Sequence, residues 1–242
     1  MYLTSTEMQP MRPRIDLDNA VFKRLLKLTP EFQLSNRSSD RRPAAQSYIK
    51  DRFKECYGAE VREFLNYLVS MRCLGSLSGV AGLSLAAQQT LFLEQYLDDP
   101  IEEELARALR VKVSRNSIVE VGNLVATTRG ASLALFIAVA TTLSRAGFEY
   151  MAFTATAQLR NTFDKLGFKT VFLKDANLGS VDSCSNSNWG SYYDSKPQVV
   201  AGRLEDALQA IANRNLFHCL QSVFSGEIDL LVRQLQVQAT GA

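Results

Sequence analysis

Residues 117–147 read SIVEVGNLVATTRGASLALFIAVATTLSRAG. The first eleven make a strongly apolar strand. Only Glu120 and Asn123 interrupt it, with Gly122 between them. TTRGAS (127–132) is a loop, and an apolar helix follows. The next stretch, FEYMAFTA (148–155), is again a strand. A strand, an apolar crossing helix and a further strand make a parallel crossover, which is right-handed in nearly all proteins.

Working outward, SYIKDRFKECYGA spaces Tyr48, Ile49, Arg52, Phe53 and Cys56 as a helix ending near Gly58. REFLNYLVSMRC (62–73) and GSLSGVAGLSLAA (75–87) predict a hairpin, and LFLEQYL (91–97) a third strand. Pro100 opens a helix, PIEEELARALR, whose early acids and late arginines complement its dipole. Downstream, AQLRNTFDKLGF (157–168) predicts a helix stopped by Gly167. KTVFL (169–173) and PQVVAGRL (197–204) predict strands flanking a Ser/Asn-rich loop, 175–195. The tail divides at Gly226 into two amphipathic helices. The order is that of an α/β fold on a mixed sheet.

Three stretches follow from composition. Residues 1–54 carry eleven Lys/Arg against six Asp/Glu, and the remainder sixteen against nineteen. A basic N-terminal arm and linker therefore spans 1–46, with VFKRLLKL (21–28) as a short amphipathic helix and Pro43 in the linker. The arm either lies on the domain or docks an acidic partner or lipid headgroups. The folded domain runs 47–204, and 205–242 is a helical extension, a dimer contact or further packing on the sheet.

Several functions are excluded. The net charge of +2 offers no field for nucleic acid. One histidine, His218, excludes sites built on several His ligands, and no metal site is expected. No Cys pair has CxxC spacing, so the cysteines read as reduced thiols of a cytoplasmic protein. His218 beside Cys219 has no carboxylate at useful spacing. The first thirty residues lack a signal-peptide core, and the longest apolar run, Leu133–Ala140, is far short of the roughly 20 residues of a spanning helix.

The remaining chemistry concentrates at a few places. A carboxylate in an apolar strand, Glu120, either pairs with an arginine or lines a cleft with a raised pKa and acts as a base. Gly122 in mid-strand suggests a bulge, whose freed N–H groups would polarise a carbonyl. The loop Thr128, Arg129, Gly130, Ala131, Ser132 opens a helix, a place suited to phosphate. Glu94 and Tyr96 share one face of the predicted strand 91–97, as an exposed end or as part of a site. Trp189 and Tyr192, beside Tyr193, either form an aromatic lid or anchor their loop to the core.

These stretches carry a family resemblance. NTFDKLGF (161–168) is similar to the Y-x-K-L-G-F segment that follows the fifth strand of the GNAT acyltransferases. Ile118–Thr127, the loop to Ser132 and the next helix resemble that family's fourth strand, acyl-CoA pyrophosphate loop and third helix. The family loop is Gln/Arg-x-x-Gly-x-Gly/Ala, of which Gly130 is the matching residue here. More closely, YIKDRFKECYGAEVREF, LFLEQYLDDPIEEEL, IVEVGNLVAT, FTATAQLRNTFDKLGF and SYYDSKPQVVAG resemble the thermostable hemolysin family over roughly 47–204. That family is itself similar to acyl-homoserine lactone synthases, whose fourth strand carries Glu-x-Ser-Arg. The matching positions are Glu120, Gly122 and Asn123.

The resemblance implies a GNAT-like twisted mixed sheet flanked by helices. It implies transfer of a fatty acyl group from an acyl-CoA or acyl-carrier protein thioester to a small amine or amino acid, with no permanently bound cofactor. Glu120 is the expected base, Glu94 the second candidate, and Asn123 stands beside them. Thr128, Arg129, Gly130, Ala131, Ser132 and Asn161 would hold the donor. Tyr96, Gly122, Thr154, Arg160, Trp189 and Tyr192 would face the substrates. A homodimer and peripheral membrane contact stay open. The alternative is a membrane-active lytic protein without catalysis, acting through its basic arm and amphipathic tail.

Overall fold

A computed structural model describes residues 30–181, 187–212 and 222–240. The helix predicted at 21–28, and His218, Cys184 and Cys219, lie outside the described residues, as does the side chain of Arg129.

Seven strands form one sheet in the order β1-β2-β3-β4-β5-β7-β6. They are β1 (Glu31–Ser35), β2 (Tyr67–Cys73), β3 (Ser76–Leu85), β4 (Ile118–Ala126), β5 (Tyr150–Ala155), β6 (Val171–Asp175) and β7 (Gln198–Arg203). β4 and β5 pair parallel, while every other neighbouring pair is antiparallel. The crossover between β4 and β5 is the helix α3 (Arg129–Arg145), as its apolar sequence predicts. α3 is apolar all round because it is covered all round, by the sheet on one side and other helices on the other.

The remaining helices are α1 (Arg42–Tyr57), α2 (Ile101–Leu109), α4 (Ala157–Leu166), α5 (Leu204–Ala212) and α6 (Ser225–Thr240). Val119, Val121, Met151 and Phe153 pack with α3, α4, α5 and α6. Their strand neighbours Ile118, Tyr150 and Ala152 pack with α2 on the opposite face. α1 lies on that second face too, against Leu68, Val80 and Trp189.

Three expectations change. The strand read at 91–97 is a 3₁₀ turn, Phe92–Tyr96. Its apolar alternation suits either form, but local polar bonds decide it. Glu94 reaches back to accept from the Leu91 N–H, and the Gln95 amide donates to the Phe92 carbonyl. Second, the stretch read as arm and linker is partly structured, with β1 on the sheet edge and α1 starting at Arg42. Pro43 sits in the first turn of α1, where a missing N–H costs nothing. Buried Arg42 donates to the carbonyls of Leu65 and Asn66, which steers the chain into β2. Third, α6 starts at Ser225, so Gly226 lies inside its first turn.

α6 covers the sheet edge. The N–H of Phe32 donates to Glu227 and that of Leu34 to Gln234. These bonds occupy edge groups that would otherwise be open to another strand. Phe224, Ile228, Leu231 and Leu235 are buried in the same core as α3. The apolar face of this tail helix is therefore used within the fold. Among the described residues no helix is long and apolar enough to cross a membrane.

Candidate active site

The site lies where the middle of the sheet opens. β4 pairs with β5 at Ile118↔Tyr150, Val119↔Met151 and Glu120↔Ala152, and no further. Both strands continue beyond that point, so they part directly after Glu120. Along its other edge β4 carries a bulge. Val80 faces Val125 and Gly82 faces Gly122, which sets three steps of β4 against two of β3. Asn123 takes the extra residue in the left-handed region, with φ of 45°. Asparagine tolerates that conformation better than most L residues. Its Oδ1 accepts from the Leu65 N–H at 3.0 Å. A Cβ on Gly82 would meet that oxygen at 2.8 Å, so a larger residue opposite the bulge would have to displace the Asn123 amide. The bulge expected around Gly122 is thus present, with Asn123 carrying the strain.

Glu120 is 2% exposed. Its Oε2 accepts from the Phe92 N–H at 2.8 Å and its Oε1 from the Leu93 N–H at 3.1 Å. Those two N–H groups open the 3₁₀ turn. Among the described residues no cation pairs with this carboxylate. Burial pushes its pKa up to about 8; the two N–H bonds oppose that shift and the charge of nearby Glu94 adds to it.

Glu94 has the opposite surroundings. Arg115 grips it with two bonds, Nη1 to Oε1 at 2.7 Å and Nη2 to Oε2 at 2.8 Å. The N–H groups of Leu91 and Ile101 donate to it at 2.7 and 2.9 Å. Burial would raise its pKa, but the Arg115 and backbone bonds outweigh burial and hold it below the usual carboxylate range. Arg115 also donates to Glu102 and to the carbonyls of Ala86 and Gln89. The cage ties together both ends of the segment that carries Phe92 and Leu93. Beside it opens a cleft of about 600 Å³, lined in part by Gln88, Asp98, Asp99 and Glu102 and not by Glu120.

The other predicted residues fall into two groups. Tyr96 leaves the face of Glu94 and shares a 2.6 Å hydrogen bond with Tyr193; burial raises its pKa and keeps it neutral. Trp189 and Tyr192 are buried against α1, beside Phe53 and Tyr57. The loop that carries them is anchored, through Ser191 N–H to the Tyr57 carbonyl and the Glu60–Asn188 bridge. Gly190 lets it sit this close, since an added Cβ would lie 2.1 Å from the Tyr57 carbonyl oxygen. The Tyr192 hydroxyl donates to the Thr154 carbonyl at 3.2 Å. Arg160 donates to the Ala155 carbonyl at 2.8 Å, at the end of β5.

At the loop that opens α3, the Thr128 hydroxyl caps the helix by accepting from the Ala131 N–H at 3.1 Å. The N–H groups of Arg129 and Gly130 lie in that first turn, where no intrahelical acceptor exists. Gly130 and Ala131 are buried and Ser132 is half-buried, while Asn161 is exposed on α4. The sequence pattern does not reveal Arg115 or the Phe92 and Leu93 amides, whereas Tyr193 stands in the aromatic loop already noted. An arginine five residues before Glu120 was the available signal, though its partner is Glu94.

A splayed parallel pair, a bulged fourth strand and a capped crossing helix together narrow the fold. The sequence matches the family model described as thermostable hemolysin over residues 35–208. The chain belongs to the thermostable hemolysin family. This hemolysin-family chain has a GNAT-like fold. It is similar to the structure of FeeM, an N-acyl amino acid synthase from uncultured soil microbes, with 15% identity and a TM-score of 0.52 over 78% of this chain and 98% of that one. It is also similar to the acyl-homoserine lactone synthase LasI, with 13% identity and a TM-score of 0.50 over 75% of this chain and 93% of that one. No curated protein matches the hemolysin-family chain in sequence.

Proposed function

We propose that the chain is an N-acyltransferase that moves a fatty acyl group from a CoA or acyl-carrier protein thioester to a small amine or amino acid. The observation that carries this is Glu120, a buried carboxylate that no cation among the described residues pairs with, at the point where β4 and β5 separate. A base with a pKa of about 8 is suited to taking a proton from an amine near neutral pH.

The amine nitrogen attacks the thioester carbonyl and Glu120 accepts a proton from it. The new C–N bond forms, the C–S bond breaks, and the proton passes to the departing thiolate. The products are an amide and a free thiol. Past Glu120 β4 keeps its β3 partner but has no β5 partner, so N–H groups on its β5 side are available to the carbonyl oxygen as charge develops. One such donor is worth about 10²–10³ in rate. The first turn of α3, with Thr128, Gly130 and Ser132, would hold the donor's phosphates. The arrangement needs no metal in its steps.

The test is mass spectrometry of small molecules after the protein is incubated with acyl-CoAs, acyl-carrier proteins and a pool of amines and amino acids. The expected result is an acylated amine that Glu120→Gln does not make. Absence of product with every donor, while the pure protein still lyses liposomes, would sink the enzyme reading.

A further inference from the structure

Of the buried polar groups without a hydrogen-bond partner among the described residues, two lie beside the opening of the sheet, on the face of Glu120: the Thr154 Oγ1 and the Trp189 Nε1. Thr154 follows Tyr150 and Ala152 in alternation along β5, so it shares their face, the face of α1 and α2. Ala152 is the residue paired with Glu120. Thr154 therefore stands two residues further on, where β4 has already turned away. Trp189 is 8% exposed. Its ring lies 5.9 Å from Phe92, whose N–H binds Glu120, and 5.6 Å from Tyr192, whose hydroxyl binds the Thr154 carbonyl. Contacts thus link the residues that bear the two groups to the segment that holds the carboxylate.

A buried donor with nothing to donate to is rare, because its desolvation is uncompensated. Backbone bonds at Asn188 and Ser191 hold the indole of Trp189 in place from both sides. Its natural partner is an acceptor oxygen on a bound molecule. The donor thioester's phosphates belong at the first turn of α3, which packs on the opposite face of the sheet. The α1 face is left for the amine.

We propose that Trp189 Nε1 and Thr154 Oγ1 receive an oxygen of the amine substrate, so that the acceptor is an amino acid or its carbonyl derivative and not a plain alkylamine. This rests on the acyl-transfer reading and makes these two residues determinants of acceptor specificity. A site that hydrogen-bonds a substrate group rejects the analogue lacking it far more strongly than an apolar pocket rejects a missing methylene.

The experiment uses the full chain with decanoyl-CoA and decanoyl-acyl carrier protein. The amine probes are L-phenylalanine, L-phenylalaninamide and phenethylamine, with the matched leucine set. The wild type should favour the oxygen-bearing amines by about 10²-fold or more in kcat/KM. Trp189→Phe keeps a ring and removes the N–H. It should raise KM for the oxygen-bearing amines about tenfold, with kcat and the phenethylamine rate little changed. Thr154→Val keeps the volume and should act in the same direction, and it carries the test if Trp189→Phe folds poorly. The melting temperature of the free protein should hold or rise in both variants, since each loses an unpaired buried group. Equal use of phenylalanine and phenethylamine, or full preference retained in both variants, overturns the inference while leaving acyl transfer standing. Product from no amine with either donor overturns the acyl-transfer reading itself.

Discussion

Glu94, part-buried in the 3₁₀ turn, and Glu120, buried on β4 against that turn, are driven in opposite directions by their surroundings. Glu94 accepts four hydrogen bonds, two of them from Arg115, and sits below the usual carboxylate range. Glu120 accepts two, both from neutral backbone, and sits near 8. The difference lies in a cation, since burial acts on both. A paired carboxylate is a structural tie whose lone pairs are taken. An unpaired one keeps lone pairs for a proton in flight. The cage around Glu94 also has a use for Glu120, because it fixes the segment whose first N–H groups hold that carboxylate in place.

The largest effect should come from exchanging each acid for its amide. Glu120→Gln is expected to lower kcat/KM about 10²–10⁴-fold, the usual range for a lost general base. Glu94→Gln should lower it by less than tenfold, since it keeps the shape and some hydrogen bonds of a residue whose oxygens are already engaged by Arg115 and the backbone. Steady-state rates with one acyl donor and one accepted amine decide this. Equal losses from both would dissolve the distinction between base and tie. Next in size, Arg115→Met should destabilise the fold by about 3–5 kcal/mol, because it strands Glu94 without its charge partner. Urea unfolding at neutral pH measures it, and a loss below about 1 kcal/mol would mean that the backbone donors alone satisfy Glu94.

Much of this architecture was legible in the sequence, and the parts that were not share a cause. The β4–α3–β5 unit shows in its apolar runs, and the bulge shows as a glycine and an asparagine inside one of them. The turn at 92–96 reads as a strand in the sequence because Leu91 and Leu93 bury equally well in either form. What selects the turn is side-chain bonding across three residues and a guanidinium more than twenty positions away. Glu120 stands out in its strand, yet whether an arginine neutralises it depends on packing between segments. Gly190 and Gly82 look like ordinary loop and strand glycines until the backbone and amide they must admit are placed beside them.

The effect that is smallest per pH unit is also the one in which the two acids must disagree in sign. Glu120 has a folded pKa raised from 4.5 to about 8. Between those values the folded chain holds a proton there that the unfolded chain has released, so stability falls as pH rises through this window. The slope from this one group is at most about 1.4 kcal/mol per pH unit, and discrete relaxation around a buried acid will reduce it. Glu94 has a folded pKa below its ordinary value, so its contribution is present above that ordinary value and is lost as pH falls through the folded one. The difference in unfolding free energy between wild type and Glu120→Gln should therefore change steadily from pH 4.5 to 8, with wild type losing ground. The difference between wild type and Glu94→Gln should stay flat over that span and shrink only in stronger acid. Urea titrations at half-unit pH intervals give both curves. A flat wild-type-minus-Glu120→Gln curve would place the Glu120 pKa near its ordinary value, and a carboxylate already ionised at neutral pH would give a rate that no longer climbs toward pH 8.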